Sequence, residues 1–498
     1  MDYLNKFSIL QLKNFFASNR KYPYLIIFSI GVLVRVIPEL EALPFPIGYD
    51  VINYYLPVLV NFDNHWASAS NQFPLYVALL HVIISITHFD PRLVVTATAV
   101  FIFGLFSVVV YSIAKNNFHL SNYQSIFLSL FVIFQVSVLR TSWDLHKDML
   151  ALTITLYCLS YLGTISNASK RILLTILPLS IISVLSDRMI GFLLTLVYIL
   201  YSLIKRERMI AILATVTAFI FAAGLFNSID TLTNNIMLGS ASTASTASRD
   251  ALQQSYNSVN LGILFLVMCG ILLPSGVIGF MKAKITILKI PLIISLLGSF
   301  TWIIFAGTSA LLPDRWIIIF SIFLSIFSGY GFIMLIESKR IAIYHKKLVN
   351  YLVILIPFLF LGSVFATSPN GSYLNLYGLF HEYMHYYDPM TMQYNSISIP
   401  ESESLVSLID WMNHNTPSGS LIVGSKHLRG WMELDLKNRS FLFSDNITNT
   451  LHSNKYAEFY LLDSSLVSNL VTHELQNFSS TLSYNNTNYS LYHLKSIE

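Results

Sequence analysis

Charge is what this chain has least of. Only 11% of its 498 residues are Asp, Glu, Lys or Arg, while 54% are hydrophobic. An ordinary soluble domain carries about 25% charge, so a soluble enzyme is excluded; mean hydropathy is +0.61. Cysteine is nearly absent. The two cysteines, Cys158 and Cys269, both lie inside apolar runs, which leaves no disulfide framework and no metal-ligand spacing. The net charge of +4 is spread over short loops, so nothing supports a nucleic-acid partner. No small-residue cleavage site follows the first apolar run, and no cleavable signal peptide is expected. No internal repeat is evident. An outer-membrane barrel is excluded too, because its strands alternate polar and apolar residues over about ten positions.

What the chain has in abundance is long apolar runs, and a bilayer crossing needs about 20 residues. Such runs recur from Tyr22 to Ala366. Eleven spans are expected, at about 22–40, 92–114, 121–139, 148–165, 171–186, 189–204, 209–226, 258–281, 286–306, 315–336 and 348–366. A further apolar run, 73–89, contains His81 and His88 and is short for a span. The bias of Lys and Arg toward cytoplasmic loops arbitrates. With a cytoplasmic N-terminus and 73–89 outside, one side collects Arg20, Lys21, Lys115, Lys170, Arg171, Lys205, Arg206, Arg208, Lys282, Lys284, Lys339 and Arg340. Making 73–89 a span would invert the bias. It is therefore expected to lie in or dip into the outer interface. Of seven N-x-[ST] triplets, six follow Thr367, where this topology places an exported region.

The fold class expected is an α-helical polytopic membrane protein of about 11 transmembrane helices plus external interfacial helices, with a small C-terminal α/β extracytoplasmic domain. The division falls at 1–366 and 367–498. In the tail, Pro400 and Glu401–Glu403 open a helix to about His414, and Ser420–Gly424 reads as a buried strand. Strand-like runs follow at 440–443, 457–462, 478–484 and 489–494, with helical runs at 427–436 and 464–475. The tail contains no Gly-rich phosphate loop and no nucleophile elbow.

Charged residues at span ends are costly and therefore informative. They gather on the outer face. Span 1 carries Arg35 and ends on Glu39 and Glu41; Gly48, Tyr49 and Asp50 follow, then an apolar stretch holding Tyr54 and Tyr55. The second outer loop packs Arg140, Asp144, His146, Lys147 and Asp148 into nine residues. Asp187 and Arg188 form an outer hairpin, and Arg315 opens a late span. Each has a plain structural alternative. Asp50 could cap a helix, Asp144 and Asp148 could be solvated loop charges or caps, and Arg188 and Arg315 could snorkel to headgroups. Together they would form a polar pocket at the outer leaflet. A carboxylate there can accept a proton from a nucleophile, and Arg or Lys can hold charge developing on a phosphate leaving group.

These parts resemble the GT-C superfamily of integral-membrane glycosyltransferases, which includes oligosaccharyltransferase catalytic subunits, protein O-mannosyltransferases and lipid A aminoarabinose transferases. The resemblance is carried by R-V-I-P at the end of span 1 and G-Y-D-V-I-N-Y-Y after it. F-P-L-Y at Phe73–Tyr76, S-W-D-L-H-K-D in the second loop and P-D-R-W near a late span also match. It covers roughly 20–340. It implies transfer of a hexosyl or pentosyl group from a polyprenyl-phosphate-linked donor to a lipid, glycan or protein acceptor on the extracytoplasmic face. It carries over Asp50 as the first-loop catalytic acid and Asp144, with Asp148 competing, as the second. Arg315 would contact the donor phosphate, with Lys147 and Arg188 as companions; Tyr49, Tyr54, His146 and Arg35 would line the pocket. The tail lacks W-W-D-Y-G, and the first loop has G-Y-D instead of D-x-D. Peptide-Asn transfer and a bound divalent metal are therefore not favoured, and no cofactor is expected. The rival readings are a transporter or lipid flippase, and a noncatalytic membrane protein with an exported domain. Transporters usually place ionisable or helix-breaking residues near the midplane, whereas these spans are largely clean in their middles.

Overall fold

The computed structural model describes residues 22–48, 50–60, 62, 75–143, 145–164, 170–237, 258–304, 312–337, 399–424, 428–443, 458–464 and 478–496. Helix α1 (Tyr22–Ala42) leads to a π-helical turn, Val51–Tyr55, which continues as α2 (Leu56–Val60). Gly48, at φ 100°, makes the turn between them in a region costly for other residues. Helix α3 (Leu75–Thr87) follows, then α4 (Pro91–Ser112) with a π-helical end at Ile113–Asn117. Asp90 caps α4 by accepting from the Arg92 amide, with Pro91 at its first position, where a missing N–H costs nothing. Next come α5 (Asn122–Ile133), α6 (Val136–Trp143), α7 (His146–Thr164), α8 (Lys170–Ser186), α9 (Arg188–Lys205) and α10 (Arg208–Met237). The bundle closes with α11 (Ser258–Cys269), α12 (Leu273–Lys282), α13 (Thr286–Ser299), α14 (Thr301–Ile304) and α15 (Pro313–Glu337).

Five described helical stretches are long and apolar enough to cross a membrane: Tyr22–Leu40, Pro91–Asn117, Arg188–Lys205, Arg208–Leu225 and Pro313–Glu337. The bent pair α5 and α6 makes a sixth if it counts as one crossing. The described residues thus show five or six of the eleven expected spans as such helices, and several of the expected runs are divided, for local reasons. The run 121–139 bends by 62° between α5 and α6. There the buried Gln135 side chain donates to the Phe131 carbonyl at 2.7 Å, satisfying an acceptor at the end of the α5 ladder. The run 258–281 stops at Cys269 and restarts at Leu273, with Pro274 in the first turn of α12; proline suits a helix start and not its interior. The run 286–306 is divided at Phe300. The expected span 348–366 lies outside the described residues. Helix α3 has 13 residues, about 20 Å, which falls short of the hydrocarbon core of about 30 Å.

One apolar core runs through the bundle from α1 to α15. Helix α15 is its axis, with both faces buried from Trp316 to Gly329, so that stretch is free of charged residues all round. Helix α12 packs along it with backbones in close approach. A Cβ on Gly279 would run into the Phe327 carbonyl, and one on Gly331 into the Ser275 carbonyl. The Ser275 and Ser328 hydroxyls bond across the same contact at 2.5 Å. Small residues and hydroxyls are what hold helices together where lipid supplies no hydrophobic contrast.

The C-terminal elements are α16 (Ile399–Asn415), β1 (Leu421–Gly424), α17 (Arg429–Asp435), β2 (Ser440–Phe443), β3 (Glu458–Ser464), β4 (Phe478–Asn485) and β5 (Tyr489–Ser496). They form one mixed sheet in the order β2-β1-β3-β5-β4. Strand β1 is parallel to β2 and β3, while β5 is antiparallel to both β3 and β4. The five strands lie on the runs expected from sequence. The expected helix 464–475 and the division at 366/367 fall outside the described residues. Helices α16 and α17 cover one sheet face through Leu405, Leu408, Ile409, Met412, Trp431 and Leu491. That cluster also takes in Ile52, so the segment after α1 contributes to the core of the sheet module.

Candidate active site

Four helices begin at one place. Asp50 stands immediately before the π-turn, Asp148 is in the first turn of α7, Asp187 precedes α9, and Asp314 and Arg315 open α15. Arg315 is the centre. Its Nη1 lies 3.6 Å from Asp148 Oδ2, and Asp50, Asp187 and Asp314 are also near enough to act on its charge. The carboxyls of Asp148 and Asp187 face each other within hydrogen-bonding reach, and Lys147 acts on both. Asp148, Asp187, Asp314 and Asp50 are buried, whereas the Arg315 side chain is 29% exposed. Beneath the Asp148–Arg315 pair lies a small cavity walled by Leu152, Ile190, Ile318, Ile319 and Ile322.

Two aspartates at helix starts behave differently. Asp187 accepts from the amides of Met189 and Ile190, both at 2.8 Å, which is ordinary N-capping. Asp50 occupies the cap position of the π-turn but makes no side-chain cap bond. The capping explanation available for Asp50 in the sequence is therefore not realised. Its carboxyl belongs to the group around Arg315. Helix N-termini carry partial positive charge and free N–H groups, so a place where several converge favours an anion such as phosphate.

A second buried network lies beside this one. Arg35 is fully buried; its Nε donates to the Ser142 carbonyl at 3.1 Å and its Nη2 pairs with Glu39 at 2.5 Å. The Tyr76 hydroxyl lies 3.4 Å from His146 Nδ1, and Tyr55 stacks on the same imidazole with ring centroids 5.7 Å apart. Arg35 thus ties α1 to α6, and His146 ties α7 to the π-helical turn and α3.

The sequence candidates are sorted by these contacts. Asp50, Asp148, Lys147 and Arg315 come together. Arg35 and His146 sit in the adjoining network. Tyr54 points away, 51% exposed, and Arg188 is exposed on the far side of its hairpin. Tyr49 and Asp144 lie outside the described residues. Sequence reasoning singled out the Asp187–Arg188 hairpin but chose its arginine; the structure turns the aspartate inward. Asp314, Tyr55 and Tyr76 are further members of motifs already quoted, and Glu39 directly follows one of them. Among the described residues, no three His, Cys, Asp or Glu side chains form a group able to hold a metal ion.

The fold has solved counterparts. The chain is similar to ArnT from Cupriavidus metallidurans, a GT-C aminoarabinose transferase, in its crystal structure bound to undecaprenyl phosphate. The identity is 11%, the alignment covers 95% of this chain and 98% of that one, and the TM-score is 0.54. The apo structure of the same ArnT aligns over the same shares at 11% identity and a TM-score of 0.53. No family model matches the chain, and no curated protein matches it in sequence. The chain thus shares its overall fold with ArnT over nearly the whole length of both.

Proposed function

We propose that this chain transfers a sugar from a polyprenyl-phosphate-linked donor to an acceptor hydroxyl or amine on the extracytoplasmic face. The observation that carries the reading is Asp50: a buried carboxylate that does not cap its own helix and stands with Asp148 around a partly exposed Arg315. The likeness to a transferase crystallised with undecaprenyl phosphate supports the donor class. In this reading the N-terminus is cytoplasmic, the chain crosses the membrane eleven times counting bent and interrupted helices, and residues 367–498 form an extracytoplasmic domain.

The chemistry follows from the groups present. Asp50 takes the proton of the acceptor as its oxygen or nitrogen attacks the anomeric carbon. The bond from that carbon to the phosphate oxygen breaks, and the polyprenyl phosphate leaves with its added negative charge. Arg315 and Lys147 hold that charge, assisted by the converging helix starts. Asp148 keeps Arg315 in place. No divalent metal is assigned a role, since Arg315 supplies the positive charge at the phosphate.

The test is Asp50→Asn, which keeps the size and most hydrogen-bonding capacity but removes the proton-accepting charge. Transfer from a polyprenyl-phosphate sugar should fall by about 10² to 10⁴, with membrane abundance near normal. Wild-type transfer by the variant would sink the assignment. Insensitivity of the wild type to EDTA is expected alongside.

A further inference from the structure

The end of the bundle away from the Arg315 cluster holds a second polar cavity. Helix geometry separates the two. Asp148 and Gly163 stand on one helix, α7, as do Arg315 and Tyr330 on α15, and Arg188 and Lys205 on α9. At 1.5 Å per residue these pairs are about 22 to 26 Å apart, most of the thickness of a bilayer's hydrocarbon core. The cavity measures about 910 Å³, within the usual range for a small-molecule site.

Four lysines from different parts of the chain ring it: Lys115, Lys205, Lys282 and Lys284. No Asp or Glu is among its lining residues. Two described acids act on lining residues: Glu207 on Tyr201, and Glu337, which accepts from the Gln124 side chain, on Tyr330. The floor is built, not incidental. The end of α4 tightens into a π-helix at Ile113–Asn117, a form often found at functional positions. It turns Lys115 and Asn117 to this side. The Asn117 amide is buried and held by Ser160 on both its atoms, donating to the carbonyl at 3.0 Å and accepting from the hydroxyl at 2.6 Å. Gly163 leaves the space this needs, since a Cβ there would stand 2.6 Å from Asn117 Nδ2. Tyr330 is held against Phe118 with centroids 4.3 Å apart.

A bias of basic residues to one side of a membrane protein explains lysines in loops. It does not explain four of them around one concave site with a fixed polar floor. We infer that this cavity binds the phosphate headgroup of an anionic lipid from the leaflet opposite the transferase site. The ammonium groups of the lysines suit the charge of a phosphodiester, with Lys115 also donating to the Leu120 carbonyl at 3.3 Å, and a lipid can enter sideways between the helix ends. Basic pockets between transmembrane helices on the cytoplasmic side are suited to such headgroups.

The experiment reconstitutes the full chain in nanodiscs of neutral phosphatidylcholine, with or without about 30% phosphatidylglycerol, and follows thermal unfolding. Phosphatidylglycerol should raise the wild-type midpoint by about 2–4 °C, as binding to the native state does. The triple variant Lys205→Gln, Lys282→Gln, Lys284→Gln should unfold like wild type in phosphatidylcholine and lose the shift. A control pair on the same end but outside the cavity, Arg206→Asn with Arg208→Gln, should keep it. Native mass spectrometry should show phosphatidylglycerol retained by wild type and control and released from the triple variant. A shift that survives in the triple variant, or vanishes equally in the control, overturns the site. Protection by millimolar inorganic pyrophosphate with none from the lipid overturns the lipid as its occupant.

Discussion

A carboxylate at the start of a helix ordinarily gives its oxygens to the helix's own amides, and Asp187 does so. Asp148 pairs with Arg315 instead, Asp50 lies near enough to act on the same charge, and what each group contributes can be separated. Arg315→Lys keeps the charge but loses the planar fork that meets a carboxylate and a phosphate together. Charge-assisted hydrogen bonds are worth about 1.5–3 kcal/mol, so the KM for the lipid-linked donor should rise roughly 10-fold or more. The acceptor KM should move little. Equal losses for donor and acceptor would place Arg315 outside donor binding. Asp187→Ala, by contrast, removes a cap worth about 1 kcal/mol and should lower the thermal midpoint as well as the rate. Asp187→Asn should restore the midpoint.

At the scale of helices, the α12–α15 contact makes a sharper demand than any charge. Gly331 and Gly279 let two backbones touch, with Ser275 and Ser328 bonding beside them. Gly331→Ala would force α12 away from α15, and overpacking of this kind costs about 1–3 kcal/mol. A lowered midpoint in detergent, with residual activity scaled to the folded fraction, is the expected result; an unchanged midpoint would mean the helices separate without cost. Nothing in the sequence pairs Gly279 with Gly331, since the contact is between helices far apart in the chain. The same limit explains what else sequence could and could not reveal. Rarity of charge in an apolar chain makes Asp50, Asp148 and Arg315 visible as candidates. Which member of Asp187–Arg188 faces inward depends on the roll of α9. The bend at Gln135 and the restart at Leu273 depend on single local bonds, so runs that read as continuous spans are divided. The strands of the tail were legible because each is a short apolar run bounded by polar turns.

The whole molecule links its two parts through α17, which lies against the segment that carries the proposed base. The Gly430 amide donates to Asn53 Oδ1 at 2.9 Å, Trp431 meets Phe45 edge-on, and Arg92 Nη2 pairs with Asp435 at 2.8 Å. Phe45 precedes Asp50 and Asn53 follows it, so α17 grips the segment after α1 on both sides of the carboxylate. At Gly430 the approach is closest, for a Cβ there would collide with the Ile52 carbonyl. Gly430→Val should therefore displace the Asp50 segment without altering any charge, and a misplacement of about 1 Å can cost about 10²-fold in rate. The loss should fall on kcat, because the donor-binding groups on α7 and α15 are untouched. Asp435→Asn is the comparison. Its partner Arg92 is 38% exposed, such rim pairs are worth about 1 kcal/mol at most, and activity should stay near wild type. Full activity in Gly430→Val would show that the grip of α17 is not what holds Asp50, leaving the bundle alone to position it.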